Sequence, residues 1–169
     1  MESNQRSLRR RRSAARAGEP YRVMLVCSSG GHLSQLLELR PWWSSHDRVW
    51  VSFKKPDVES RLAGERVIWG HFPTTRNIPN LIRNTWLSIS VLRRERPDVV
   101  ISDGAGLAVP FFWFGKLLGA KTVYLEVYDR IDSPTMTGRL VHPVCDLMLV
   151  QWPEQVGLYK KAQLAGPVW

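Results

Sequence analysis

The chain has few cysteines and no long apolar run, and both scarcities exclude common classes of protein. Its two cysteines, Cys27 and Cys145, stand far apart and form no CxxC pair. This spacing argues against a zinc site or a disulfide framework and predicts buried, reduced thiols. The longest apolar stretch, residues 107–118, contains Pro110 and Lys116 and is too short to span a membrane. The basic N-terminus precedes no hydrophobic run, so it does not predict a secretory signal.

Acidic residues are also scarce, because 15 of them face 24 lysines and arginines for a formal net charge of +9. Residues 1–20 hold six arginines and two glutamates, lack hydrophobic periodicity and are predicted to be a disordered tail. Residues 21–169 suffice for one domain and are basic as well. Such a charge attracts anionic lipid, phosphorylated ligands or nucleic acid. We expect no nucleic-acid partner, because no stacking platform or recognition helix is evident.

The ordered part of the chain alternates strand and helix patterns. Short runs of Val, Leu and Ile predict strands that are covered on both faces, and amphipathic or apolar segments between them predict helices. This alternation predicts a doubly wound, parallel sheet with ligands at the carboxyl ends of its strands. The predicted strands are Arg22–Cys27, Arg48–Phe53, Arg66–Trp69, Asp98–Ser102, Lys121–Glu126 and Leu147–Val150.

The turn after the first predicted strand reads Ser28-Ser29-Gly30-Gly31-His32. Its glycines permit a tight turn and a close backbone approach, and the next helix directs free N–H groups at that place, which suits a phosphate. A purely structural turn is the alternative. The spacing matches neither the GxGxxG fingerprint nor a P-loop, so nicotinamide and ATP are weakly supported. His32 is a candidate proton-transfer group.

Three further loops carry polar residues to the same predicted edge of the sheet. In the loop of residues 102–106, Asp103 either caps the next helix or lines the cleft of the glycine turn. In the loop of residues 126–130, Glu126 and Arg130 form either a salt bridge or a phosphate contact. The loop of residues 74–77 offers hydroxyl groups and a guanidinium to a sugar or phosphate, although ordinary surface chemistry explains it equally well.

The chain resembles the asparagine-linked-glycosylation protein 14-like family from about residue 22 to residue 169. The resemblance rests on both glycine loops and above all on Tyr124-Leu125-Glu126, Arg130, Ser133-Pro134-Thr135, Thr137-Gly138-Arg139-Leu140, Asp146 and Val150-Gln151-Trp152. That family includes the membrane-recruiting subunit of the eukaryotic dolichol-linked UDP-N-acetylglucosamine transferase. Its bacterial relatives, of the PssD and CpsF types, serve capsule and exopolysaccharide synthesis.

The resemblance implies a fold and an activity. It implies an α/β, Rossmann-like, doubly wound and mostly parallel sheet, a single domain that corresponds to the N-terminal half of a GT-B glycosyltransferase. Residues 21–169 would bind a polyprenyl-pyrophosphate-linked sugar acceptor. A separate donor-binding subunit, the C-terminal half of the GT-B enzyme, would supply most contacts to the UDP-sugar. No cofactor or catalytic metal is expected, since GT-B enzymes generally use no metal and the sequence has no Asp-x-Asp cluster.

The resemblance also suggests roles for individual residues. His32 becomes the candidate general base near the acceptor hydroxyl. The C-terminal segment would dock on the donor-binding subunit, for which the candidates are Gln151, Trp152, Pro167 and Trp169. The acceptor and its phosphates are expected to contact the polar loops, through Ser29, Gly30, Gly31, Arg76, Asp103, Gly104, Gly106, Glu126 and Arg130.

Eukaryotic members carry an N-terminal membrane helix where this chain has an arginine-rich tail. This departure favours peripheral association with the cytoplasmic face of an anionic membrane. Trp42, Trp43 and Trp86 are candidate anchors, and ordinary packing is the alternative for each of them. Two rival hypotheses remain. One is a non-catalytic scaffold that recruits and activates a catalytic partner at the membrane. The other is an enzyme that works alone, although 169 residues provide only half of a two-domain cleft.

Overall fold

The computed structural model describes residues 19–168, so the predicted tail lies almost entirely outside the described residues. All strand pairs are parallel, in the order β3-β2-β1-β4-β5-β6-β7. The predicted doubly wound, Rossmann-like fold is therefore confirmed, and a seventh strand extends the six that the sequence predicts. The strands are β1 Arg22–Val26, β2 Asp47–Phe53, β3 Val67–Gly70, β4 Val99–Ser102, β5 Lys121–Leu125, β6 Leu147–Val150 and β7 Gln163–Leu164.

Two helical layers cover the sheet, because alternate residues of β1 point to opposite faces. Val23 and Leu25 pack with α1 to α3, whereas Met24 and Val26 pack with α4 to α6. Both cysteines are free thiols, with Cys27 buried in the first of these cores. The helices are α1 Gly31–Glu38, α2 Arg40–Trp43, α3 Pro56–Arg61, α4 Ile78–Glu95, α5 Ala108–Leu117 and α6 Met136–Val141, with short 3-10 helices at His142–Val144 and Pro153–Leu158.

The segment after α1 bears on two expectations. The sequence predicts that the helix after the glycine turn stops before Pro41, and this is confirmed because α1 ends at Glu38; a separate short helix, α2, holds Pro41 in its first turn, where a missing N–H costs nothing. Of the two interpretations of Trp43, ordinary packing is confirmed and the membrane anchor is wrong. Its side chain is 2% exposed and its Nε1 donates a hydrogen bond to the Leu36 carbonyl, which fastens α2 to α1.

The longest helix, α4, is oriented with polar residues inward. Its buried positions include Asn80, Asn84 and Ser88, whereas Ile82 and Trp86 are exposed. Across residues 19–168, no helix combines the length and the apolar character that crossing a membrane requires.

Candidate active site

The carboxyl edge of the sheet, where the strands end, gathers the loops that the sequence singles out. The glycine turn follows β1, the Asp103 loop follows β4, and the loop before α4 follows β3. A Cβ added to Gly106 would lie 3.4 Å from the Cβ of Thr74, so the last two loops touch. Parallel strands end together, which brings side chains that are distant in sequence into one place.

A histidine and an aspartate meet at this edge, and we call them the His32–Asp103 pair. The Nδ1 atom of His32 lies 3.1 Å from the Oδ2 atom of Asp103. The Asp103 side chain is fully buried, whereas the His32 side chain is 30% exposed. The helix-cap interpretation of Asp103 is wrong, because α5 begins at Ala108 and Leu107 is its N-cap residue.

The environment of the pair shifts the pKa of both side chains. Burial raises the pKa of Asp103 to about 6, although His32 acts in the opposite direction. Burial of the imidazole lowers the pKa of His32, but the Asp103 carboxylate outweighs it and the net shift is upward. The two atoms face each other without an aligned hydrogen bond, and a carboxylate this close to Nδ1 favours a proton on that nitrogen, which leaves Nε2 to accept one. The pair therefore has the arrangement of a general base with an orienting carboxylate.

Gly104 leaves room for the imidazole. Its φ of +142° lies in the region that side chains avoid, and a Cβ at this position would lie 2.6 Å from Cε1 of His32. The sequence predicts a ligand contact at Gly104. The structure shows a separate reason for glycine at this position, because the ring occupies the space that any larger residue would fill.

We expect Gly104→Ala to displace the imidazole from Asp103. Once the ring has moved, the carboxylate no longer raises the pKa of His32, so the ring should titrate at lower pH. The measurement is an NMR titration of the histidine Cε1–H signals. Gly64→Ala is the matched control, because Gly64 has a φ of +84° and open space around its Cβ position. Both variants lose roughly 1 kcal/mol or more of stability from backbone strain, but an unchanged His32 titration in Gly104→Ala would contradict the close contact.

The glycine turn is already in contact with a carboxylate. The backbone N–H of Gly30 donates to Oδ2 of Asp57, which lies in the first turn of α3, at 3.0 Å. Arg61 donates to Ser34 at 2.7 Å and ties the same two helices together. Sequence reasoning missed Asp57, although its place just after β2, the neighbour of β1, was a usable signal. One of the N–H groups expected to hold a phosphate is therefore engaged within the protein.

Glu126 lies at the centre of a buried network. Its carboxylate accepts hydrogen bonds from the backbone N–H of Val127 at 3.0 Å, from Thr135 at 3.2 Å through Oγ1, and from the hydroxyl of Tyr159. No ion pair joins Glu126 to Arg130 within the described part of the chain, which overturns the salt-bridge interpretation. These bonds fix the loop between β5 and α6.

The candidate partner-binding residues lie around the end of the chain. Gln151 is buried, donating from Nε2 to the Glu126 carbonyl and accepting at Oε1 from the Val168 N–H. Trp152 donates to the Tyr128 carbonyl at 2.7 Å. Pro167 is exposed, and Trp169 lies outside the described residues.

Two guanidinium groups and one cleft lie near the carboxyl edge. Arg76 and Arg130 are both exposed, on loops that follow β3 and β5. An open cleft of about 400 Å³ beside the glycine turn is lined by Gly31, Ser34, Gln35, Glu38, Tyr128 and Val168. A larger one of about 640 Å³ lies at the far end of α1, away from the His32–Asp103 pair. Ser29 lies within the glycine turn, where its carbonyl accepts a hydrogen bond from the Ser28 hydroxyl.

The fold places the chain in the class of Rossmann-like domains found in GT-B glycosyltransferases and UDP-N-acetylglucosamine 2-epimerases. MurG from Acinetobacter baumannii superposes with a TM-score of 0.67 at 16% identity, over 85% of this chain and 44% of that chain. The 2-epimerase from Rickettsia bellii superposes with a TM-score of 0.68 at 12% identity, over 88% and 45%. The chain therefore spans less than half the length of these structures, which share its fold.

The chain belongs to the family described as "Oligosaccharide biosynthesis protein Alg14 like", which matches residues 71–168. The family resemblance inferred from the motifs is thereby confirmed. A similar curated protein is the human UDP-N-acetylglucosamine transferase subunit ALG14, which is 28% identical over 89% of this chain and 84% of that protein. The human alignment thus extends well beyond the segment that the family description matches.

Proposed function

We propose that this chain is the acceptor-binding subunit of a two-chain glycosyltransferase. It would act with a donor-binding subunit to move N-acetylglucosamine from UDP-N-acetylglucosamine to a polyprenyl-pyrophosphate-linked sugar. The observation that carries the proposal is the His32–Asp103 pair at the carboxyl edge of the sheet. The name of the human relative supports the donor and the subunit character. We also propose that this reaction contributes to capsule or exopolysaccharide synthesis.

In this proposal His32 is the general base. Nε2 takes the proton of the acceptor hydroxyl while the hydroxyl oxygen bonds to the anomeric carbon of the donor sugar. The bond between that carbon and the UDP oxygen breaks, and UDP leaves with the electron pair. The Asp103 carboxylate at Nδ1 stabilises the imidazolium that forms. No metal takes part in this scheme.

Other candidate residues take supporting roles in the proposal. Arg76 and Arg130 are exposed cations suited to the acceptor pyrophosphate. The Gly30 N–H already donates to Asp57, so the proposal assigns the backbone contact with the pyrophosphate to Gly31. The Asp103 carboxylate would repel a phosphate, so it is not assigned to the pyrophosphate. Its role in the proposal is to orient His32. Glu126 is engaged by protein groups and is assigned to shaping the Arg130 loop.

The donor-binding subunit would complete a cleft of which this chain supplies one wall. The chain covers 44% of the MurG chain and 45% of the 2-epimerase chain whose fold it shares. Gln151 holds the C-terminal segment from within, so contact with the subunit would fall to Pro167, Trp169 and the outer face of Trp152. We assign acceptor binding to residues 21–169 and peripheral membrane association to the basic chain as a whole.

Reconstitution tests the proposal. The chain is co-expressed with the protein encoded beside it, and transfer from radiolabelled UDP-N-acetylglucosamine to a polyprenyl-pyrophosphate sugar is measured. We expect transfer by the pair and none by either protein alone. Transfer by this chain alone would contradict the two-chain proposal. A pair that stays active with His32 replaced would favour the scaffold hypothesis.

A further inference from the structure

Helix α4 exposes the residues that a surface helix normally buries. Ile78 and Trp86 are each 69% exposed, and Leu81 and Ile82 lie exposed between them on the same face. The sequence shows this apolar stripe but does not reveal which side of the helix faces the core. In the folded chain the stripe points away from the sheet.

Hydrogen bonds of the opposite face fix this orientation. Asn84 accepts from the His71 N–H at 2.8 Å and donates to the His71 carbonyl at 2.9 Å. Asn80 donates to the Pro73 carbonyl at 2.9 Å, and its own N–H donates to the Asn77 cap. Rotating the apolar stripe inward would break the three side-chain bonds to His71 and Pro73, each of which contributes about 0.5–1.5 kcal/mol. The outward stripe is therefore built into the fold.

The apolar surface continues over the two neighbouring helices. Helix α4 packs against α5, and α5 packs against α6. Leu117 on α5 is 77% exposed and Met136 on α6 is 73% exposed, with Trp113 and Leu140 also exposed. We call the exposed apolar residues of these helices the α4–α6 face, which comprises Ile78, Leu81, Ile82, Trp86, Trp113, Leu117, Met136 and Leu140. An exposed patch of this kind marks an interaction site.

The charges around the α4–α6 face are almost all positive. No acidic residue occurs between Glu65 and Glu95, a segment that contains Arg76, Arg83 and Arg93; Arg66 and Arg94, at its two ends, pair with Glu95. None occurs between Asp103 and Glu126, or between Asp132 and Asp146, the segments that contain α5 and α6. The opposite layer is different, since Glu38, Asp47, Asp57, Glu59 and Glu65 lie on or beside α1 to α3.

We propose that the α4–α6 face docks on an anionic lipid bilayer, with Trp86 and its apolar neighbours at the interface and the arginines against the headgroups. Apolar burial and cationic attraction add in this geometry, and Trp favours the interface. The biological reason for docking rests on the proposed function, in which the acceptor is bound to a membrane. Helices α4 and α6 begin at the carboxyl edge of the sheet, so a docked chain would hold the His32–Asp103 pair close to a membrane-bound acceptor.

Vesicle sedimentation tests the docking without any donor, acceptor or partner subunit. The full chain is mixed with vesicles of phosphatidylcholine and phosphatidylglycerol, or of phosphatidylcholine alone. We expect Trp86→Glu and Ile82→Glu each to lower vesicle binding about tenfold or more. Each variant removes an apolar side chain that docking would bury in the bilayer and adds a negative charge that the anionic headgroups repel. Arg83→Glu should weaken binding to the anionic vesicles only. Trp42→Glu, a tryptophan on the opposite layer, is the matched control and should bind as the parent chain does.

Three results would overturn the proposal. One is a parent chain that does not sediment with anionic vesicles. Another is unchanged binding of both Trp86→Glu and Ile82→Glu, which would assign binding to the N-terminal arginines. A third is a parent dimer that Trp86→Glu converts to a monomer with unchanged vesicle binding, which would assign the face to a second copy. Thermal melts check that the variants fold.

A second assay distinguishes failure of the docking proposal from failure of the proposed function. Transfer to a short-chain, water-soluble acceptor by the reconstituted pair should survive Trp86→Glu, whereas transfer to an acceptor in anionic vesicles should fall with vesicle binding. Loss of transfer to both acceptors would contradict a purely docking role. Inactivity of the parent pair on the soluble acceptor, with normal vesicle binding, would count against the proposed function and leave the docking supported.

Discussion

Turnover by the reconstituted pair is expected to fall about 10²- to 10⁴-fold when His32 is replaced by alanine, the range for removing a general base. The KM for the acceptor should change little, because the proposal gives His32 a role in proton transfer and gives pyrophosphate binding to Arg76 and Arg130. Steady-state transfer at saturating UDP-N-acetylglucosamine provides the measurement. His32→Ala also leaves the buried Asp103 carboxylate, which lies 3.1 Å from the ring in the parent chain, without its partner, so a thermal melt checks that the variant folds.

The matched control is His46→Ala. His46 lies between α2 and β2, where it packs against Tyr21 and Trp42, far from the carboxyl edge. We expect this variant to transfer as the parent does. Retention of near-parent turnover in His32→Ala, with the complex intact, would remove His32 from the chemistry and leave a scaffold.

The second large effect is expected for Asp103→Asn. Asparagine fills the same buried space but removes the charge that raises the pKa of His32, while burial of the ring continues to lower it. The acidic limb of kcat/KM reports protonation of the base, so it should move to lower pH. The plateau should also fall, by about 10²- to 10⁴-fold, because the imidazolium loses its stabilising carboxylate and the tautomer is no longer fixed.

A pH profile from about pH 5 to 9 decides this prediction. In the parent chain the acidic limb should lie above the ordinary imidazole pKa, since the net shift of His32 is upward. A purely structural role of Asp103 would lower the rate without moving the limb. A limb that moves to higher pH would contradict the assigned charge interaction.

The parallel sheet and the gathering of loops at one edge were predictable, whereas the strand order and the partners of individual groups were not. Buried runs such as Val23 to Val26 indicate a parallel sheet, and a parallel sheet places residues after β1 and β4 together. The Asp103 carboxylate reaches His32 because β1 and β4 are neighbours, and sequence alone does not give that adjacency.

The orientation of α4 shows why periodicity was insufficient. A helical stripe of apolar residues predicts a face that is buried somewhere, but the partner is decided by the rest of the fold. In this chain Asn80 and Asn84 find carbonyl and N–H groups in the loop before the helix, and these bonds direct the stripe outward. Similarly, Trp42 and Trp43 are adjacent in sequence, and only the packing of α2 on α1 determines that Trp43 is buried.

The glycine turn shows a third limit. Its two glycines predict a backbone open to a ligand, yet the Gly30 N–H donates to Asp57 on α3. That contact joins residues 27 positions apart and depends on β1 and β2 lying side by side. Glu126 was likewise a candidate ligand contact by its place after β5, and its network with Thr135 and Tyr159 appears only in three dimensions.

The most direct test of the account is a single-turnover measurement on the reconstituted pair with excess enzyme. The acceptor is incubated with an excess of the parent complex or of the His32→Ala complex, and mixing with the donor starts the reaction. Product is then sampled by rapid quench, and the affinity for the acceptor is measured separately. The account predicts a chemical step slowed about 100-fold or more with an unchanged acceptor Kd. An unchanged rate of the chemical step in His32→Ala would contradict the claim that this chain supplies the base.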